Sequence, residues 1–241
     1  MKFKFETIKK DYSDFSSDKL LVNAPRTPAF PVRVASEIMA RCLSLINRTE
    51  ELTIYDPCCG GAHLLTVLGF LYNANLKQIY GTDIDENALE YAQENLALLK
   101  PNGIQQRKKS LQYHYEKQGE AAQLMALDSA KRLSAMLSNP QQKEIQCFKW
   151  DITSFQRPPF KDVNIVITDL PYGNMAHWQG TTKDHPTEQM LNNIYQTLDI
   201  NNAIVIVICN KKESIQHKNF TQVKRLKHGK RQFFFLRPLF F

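Results

Sequence analysis

Four short apolar runs in this chain each end on an aspartate, and that repetition restricts the fold more than any other feature. Leu52-Thr-Ile-Tyr runs into Asp56, Ile79-Tyr-Gly-Thr into Asp83, Ile145-Gln-Cys-Phe-Lys-Trp into Asp151 and Val163-Asn-Ile-Val-Ile-Thr into Asp169. Apolar runs of this length, bounded by turn formers, read as strands, and a near-continuous run such as Val163–Thr168 reads as one buried on both faces. Between them lie helical spacings: Leu64, Leu65, Leu68 and Leu71, then Leu89, Ala92, Leu96 and Leu99, the latter within a helix from Glu86 that stops at Pro101-Asn-Gly103. Strands alternating with helices give an α/β fold on a mostly parallel sheet. Ala203–Cys209 supplies a fifth buried strand after a helix over Thr187–Leu198, and Gln222–Arg237 reads as two strands turning at His228-Gly229, an antiparallel hairpin closing the sheet.

In such sheets ligands sit across the carboxyl ends of the strands, so Asp56, Asp83 and Asp151 are expected to face one crevice. Asp56-Pro-Cys-Cys-Gly-Gly61 is a tight strand-to-helix turn. Its small residues allow a ligand close to the backbone, at a helix N-terminus that attracts a carboxylate. The turn lacks the G-x-G-x-x-G of pyrophosphate loops. Asp83 falls 27 positions after Asp56, roughly where an acid accepts hydrogen bonds from both hydroxyls of a ribose. A nucleoside with a carboxylate tail satisfies both ends, and S-adenosylmethionine is such a molecule.

At 241 residues and 43% hydrophobic, the chain is expected to fold as a single domain, 1–241. No run is long and apolar enough to span a bilayer and the start lacks a signal-peptide core, so a cytoplasmic protein is expected. The five Cys are odd in number, contain no C-x-x-C, and read as reduced structural thiols rather than zinc ligands. Net charge is +7, yet residues 210–241 alone carry nine Lys/Arg against Glu213. That tail is either a lysine-guarded edge hairpin or a surface facing RNA.

Residues 1–31 read as an irregular arm with at most one short strand, followed by a helix from Val32 to about Asn47. Arg26 and Arg33 flank Phe30; they can hold RNA phosphate and base, or simply pin the arm. Residues 105–140 read as a helical insertion of one or two polar amphipathic helices, with the Arg107-Lys108-Lys109 run on a solvated face. The fourth strand continues into Asp169-Leu-Pro-Tyr172. A carboxylate, a Pro-rigidified turn and an aromatic can hold an exocyclic amine while the ring lies on a nucleobase. The loop after it carries His177, Trp178 and His185 and is placed to act as a lid, with Trp178 able to stack on RNA.

Taken together, these segments resemble the class I S-adenosylmethionine-dependent methyltransferases with a Rossmann-like sheet, and more narrowly the avilamycin-resistance ribosomal RNA guanine methyltransferases. The resemblance rests on Phe30-Pro-Val-Arg33, Asp56-Pro-Cys-Cys-Gly60, Leu64-Leu-Thr-Val-Leu-Gly69, Asn95-Leu-Ala-Leu-Leu99, Thr168-Asp-Leu-Pro-Tyr-Gly173 and His177-Trp178. It implies cofactor contacts at Asp56, Pro57, Cys58, Gly60 and Gly61, at Asp83 and Ile84, and at Asp151 and Ile152. It implies that Asp169, Leu170, Pro171 and Tyr172 hold the target amine, with Arg26, Arg33, His177 and Trp178 toward the RNA. The expected reaction methylates a guanosine of 23S ribosomal RNA, naked or in the large subunit, by a monomer needing no metal, with N2 favoured and N1 the other position. Resistance to orthosomycin antibiotics is implied by the resemblance alone. One departure stands out: the family pattern is similar to Cys-Cys-Gly-Ser-Gly, and here Gly61-Ala62 replace Ser-Gly. A methyl on Ala62 crowds the methionine end of the cofactor or sits at a φ that alanine disfavours. Two alternatives stay open, an adenine-N6 methyltransferase and a catalytically silent RNA-binding module.

Overall fold

Alternate side chains of the buried strands point to opposite faces of one sheet, and each face has enough Ile, Val and Phe to close a core under helices. The sheet has seven strands: β1 (Leu52–Asp56), β2 (Leu76–Asp83), β3 (Glu144–Lys149), β4 (Ile165–Asp169), β5 (Ile204–Asn210), β6 (Phe220–His228) and β7 (Arg231–Pro238), in the order β3-β2-β1-β4-β5-β7-β6. β1 to β5 are parallel, and β7 runs antiparallel to both β5 and β6. These features come from a computed structural model that describes residues 1–16, 19–25, 27–118, 121–137, 143–171, 178–181 and 184–240.

The helices are α1 (Val32–Leu43), α2 (His63–Leu71), α3 (Glu86–Ala97), α4 (Gly103–Gln118), α5 (Ala121–Met136) and α6 (Pro186–Tyr195). One core takes Ile54, Ile165, Ile167, Ile206, Ile208, Phe233 and Phe235. The other takes Tyr55, Val166, Val205, Val207 and Phe234. Period-two alternation along strands covered on both sides is the reason.

Most boundaries match the sequence reading, and the differences have local causes. β2 begins at Leu76, three residues early, because Lys77 and Gln78 find polar partners in Glu51 and Glu144 at the sheet margin. α1 ends at Leu43, where Ser44 Oγ donates to the Arg41 carbonyl. The Pro101-Asn-Gly turn is only a break: Asn102 adopts φ +64° and α4 starts at Gly103, so the insertion is a two-helix unit opening slightly before 105. The arm holds no strand among the described residues, only a 3-10 turn at Ser13–Phe15. It is fixed instead by Glu37, whose buried carboxylate accepts from the amides of Lys4, Phe5 and Glu6 and pairs with Arg41 at 2.6 Å. Among the described residues, no helix is long and apolar enough to cross a membrane.

Candidate active site

The sheet order reverses between β1 and β4, and the crevice at their carboxyl ends is the place where doubly wound sheets bind ligands. There the structure has a cavity of about 810 Å³. Asp56, Asp83 and Asp169 reach it as the last residues of β1, β2 and β4, and Asp151 reaches it just beyond β3. Pro57, Cys58, Gly60, Gly61, Ile84, Ile152, Leu170, Pro171 and Trp178 line it as well. Arg26, Tyr172 and His177 lie outside the described residues.

The turn after β1 is held by its own backbone. Asp56 Oδ1 accepts from the Cys58 amide at 3.1 Å, the Cys59 amide donates to the Thr82 carbonyl at 3.0 Å, and the Gly60 amide donates to Asp83 Oδ2 at 2.7 Å. Gly60 has φ +51°, and a Cβ there would stand 3.1 Å from Thr27 Cγ2 of the arm. Ala62 is also left-handed, at φ +52°, and its methyl is fully buried. The sequence pointed to this strain; the methyl enters the core rather than the cavity lining. α2 then starts at His63, so its first amides, unpaired within the helix, open toward the cavity that His63 and Leu64 line. Buried Asn95 on α3 ties the turn to the arm: Nδ2 donates to Gly61 O at 2.7 Å and to Val22 O at 2.8 Å, and Oδ1 accepts from Val22 N at 2.9 Å.

Burial governs the charges. It pushes the Asp56 carboxyl up to about 8, helped by repulsion from Asp83 and Asp169 and opposed by the Cys58 amide. Asp83 is raised for the same first cause, against the Asp85 and Gly60 amides. Two acids crowded into one crevice, both raised by burial, favour a cationic ligand group. With a helix N-terminus for a carboxylate, they match the donor set a sulfonium amino-acid nucleoside needs. Asp151 differs. Burial raises it, but Thr153 donates N–H and O–H to Oδ1 at 2.8 and 2.7 Å, and Thr181 donates both to Oδ2 at 2.6 Å. Together these hold it below the usual carboxylate range. Its oxygens are engaged by the protein, and the residue anchors the loop at Gly180, where a Cβ would collide with its Oδ1.

Asp169 Oδ2 accepts from Arg231 Nε at 3.1 Å. The Arg231 guanidinium also lies over the Phe30 ring, 5.2 Å from its centroid. Several lining residues, among them Asn87, Trp150 and Arg231, were not named as site residues by the sequence reading. Arg231 looked like one more cation of a basic tail, and only the β5–β7 pairing, which sets it opposite Asn210, brings it to Asp169. Arg33, expected near the RNA, is not among the cavity-lining residues. It donates to the Glu6 carbonyl at 2.7 Å and lies 4.1 Å from the Phe3 ring centroid, which is the arm-pinning role.

Comparison with known proteins agrees with this geometry. The family model described as "RRNA methyltransferase AviRa" matches residues 1–231. The chain is 34% identical over 227 residues, 92% of its length and 90% of the relative's, to a 23S rRNA (guanine(2535)-N(1))-methyltransferase of Streptomyces viridochromogenes. A crystal structure of the rRNA methyltransferase AviRa from that organism superposes with a TM-score of 0.83 at 31% identity, covering 98% of this chain and 96% of the other. TrmN from Thermus thermophilus shares the fold at a TM-score of 0.51 and 14% identity, over 88% of this chain and 50% of that one. On the matched residues, the cavity at the carboxyl ends of its strands and this identity along nearly its whole length, the chain belongs to the AviRa family of rRNA methyltransferases.

Proposed function

We propose that this protein moves the methyl group of S-adenosylmethionine to N1 of a guanosine in 23S ribosomal RNA, acting as a cytoplasmic monomer. The observation that carries the reading is the convergence of Asp56, Asp83 and Asp169 from three adjacent parallel strands on one cavity, with Arg231 paired to Asp169 in its lining. N1 is taken over the N2 that the sequence arrangement favours because the Streptomyces relative is named for N1. Asp56 and Asp83 hold the cofactor's cationic and ribose groups, and the first amides of α2 hold its carboxylate. The bound cofactor supplies an electrophilic methyl on sulfur.

The chain's part is orientation and proton handling. Guanine N1 carries a hydrogen, so transfer requires that proton to leave as the N1–C bond forms and the C–S bond breaks. Asp169 is the acceptor, its carboxylate oriented by Arg231. The base reaches it only when unstacked, so a loop or bulge of the RNA is the substrate. Leu170 and Pro171, with Leu170 N bonded to Ile208 O at 2.9 Å, hold the turn rigid so that alignment is set before the base arrives. Asp151, through Thr181, anchors the segment whose Trp178, Gln179 and Gly180 line the cavity.

The test uses methyl-labelled S-adenosylmethionine and unmodified 23S rRNA, digested to nucleosides. Label in 1-methylguanosine is expected, and Asp169→Asn should lower kcat at least about a hundredfold while leaving cofactor Kd within about threefold. Label in N2-methylguanosine corrects the position, label in adenosine the substrate. Cofactor-independent RNA binding with no transfer leaves the silent-module reading standing.

A further inference from the structure

The four lysines 211, 212, 227 and 230 gather at one place the sequence does not reveal. β5 ends at Asn210, and Asn210 pairs with Arg231 at the start of β7. Arg231 pairs in turn with His228 at the end of β6. The carboxyl end of β5 and the β6–β7 turn therefore share the edge of the sheet on which the cavity opens. Lys211 N donates to Lys230 O at 3.2 Å, which joins the two loops. Gly229, at φ +56°, forms the tip.

Lys211, Lys212, Lys227 and Lys230 are all exposed, and none has an ion pair among the described residues. Their neighbour Arg231 has one, to Asp169 inside the cavity. Glu213 is the single acid of residues 210–241. The crowding is felt: burial, then the Met1 ammonium, Arg231 and Lys211 lower the pKa of His228. Lys224 and Arg225 lie midway along β6, where they guard an edge strand. Lys211, Lys212, Lys227 and Lys230 collect instead at the end beside the cavity, where like charges repel unless a polyanion covers them.

We infer that this lysine rim is the track for the RNA phosphates flanking the target nucleotide, setting the strand so that the unstacked base drops toward Asp169. The inference rests on the proposed function and adds the surface that receives the RNA. Recognition at the rim is of backbone charge, so it contributes affinity and orientation without reading sequence.

The test compares two neutralised variants with the unaltered chain: Lys211→Gln/Lys212→Gln/Lys227→Gln/Lys230→Gln at the rim, and Arg107→Gln/Lys108→Gln/Lys109→Gln on α4, whose residues do not line the cavity. The probe is an unmodified 23S rRNA transcript titrated over a salt series. The rim variant should weaken RNA binding at least about tenfold near 0.1 M salt and flatten the salt slope by roughly 0.7 to 0.9 for each phosphate left without its lysine. Its S-adenosylmethionine Kd and melting temperature should stay put. The α4 variant should change RNA binding less than about threefold. Equal losses from the two variants, or an unchanged slope at the rim, would overturn the rim. Should the fourfold variant melt early, Lys212→Gln and Lys230→Gln singly carry the same slope test. Failure of the unaltered chain to methylate guanosine sinks the proposed function instead, and the binding data remain separate from it.

Discussion

Ala62 shows how one residue carries two opposed effects. An alanine at φ +52° costs about 1 to 2 kcal/mol relative to its preferred conformations, whereas its buried methyl contributes about 0.8 kcal/mol and its smaller unfolded-state entropy somewhat less. The terms nearly offset, so Ala62→Gly should shift unfolding free energy by under about 1 kcal/mol. Ala62→Val, branched at Cβ in the same conformation and enclosed on all sides, should cost at least about 2 kcal/mol. Urea titrations of both test this, and an unchanged cofactor Kd in Ala62→Gly would show that the methyl does not crowd the ligand.

Asp56 makes a second residue-scale prediction, with its sign fixed by linkage. Its folded pKa is pushed up to about 8 from the ordinary 3.8. Between those pH values the folded chain retains a proton that the unfolded chain releases. The Asp56 contribution therefore falls as pH rises across that window and levels off above about 8. Melting temperature against pH should slope downward more steeply for the unaltered chain than for Asp56→Asn. Cofactor binding should run the other way, tightening toward pH 8 with proton release visible by calorimetry in buffers of different ionisation enthalpy. Identical melting profiles for the two proteins would remove the buried-acid account.

At the scale of elements, the site is an assembly of a strand-to-helix turn, a helix and an arm that are far apart in sequence. Asn95 on α3 joins all three through its bonds to Gly61 and Val22, and the residue is 1% exposed. Asn95→Leu leaves the part-buried Val22 amide and carbonyl and the Gly61 carbonyl without it, and a loss of about 1 to 3 kcal/mol is expected for the buried group, less for the two part-buried ones. The expected result is a protein that unfolds at lower denaturant, becomes protease-sensitive around residues 19–25 and binds S-adenosylmethionine at least tenfold more weakly. A variant that loses stability with its cofactor affinity intact would confine Asn95 to the fold. The sequence marked Asn95 only as part of a resemblance. Its spacing says that it falls on the face of α3 shared with Ala88, Leu89 and Ala92, and an asparagine there has no evident partner until the arm is folded over it.

For the whole molecule, β7 is the element that unites the two halves of the site. Phe233 and Phe235 enter one core and Phe234 the other, so a single strand locks both helical layers while its first residue, Arg231, meets Asp169. The parallel sheet, its helices, the two-helix insertion, the C-terminal hairpin and the acids at the strand ends were all legible along the chain, because apolar period and turn chemistry are local properties. The acids were legible for a further reason: in a parallel sheet every strand's carboxyl end falls on the same edge. What only the tertiary structure decided was which groups face one another. It set Arg231 on Asp169, turned Arg33 to the arm, brought the Thr181 donors to Asp151 Oδ2 and gathered four lysines beside the cavity. Each of these depends on strand register or on the meeting of distant segments, and side-chain pairing across such distances leaves no periodic trace in the sequence.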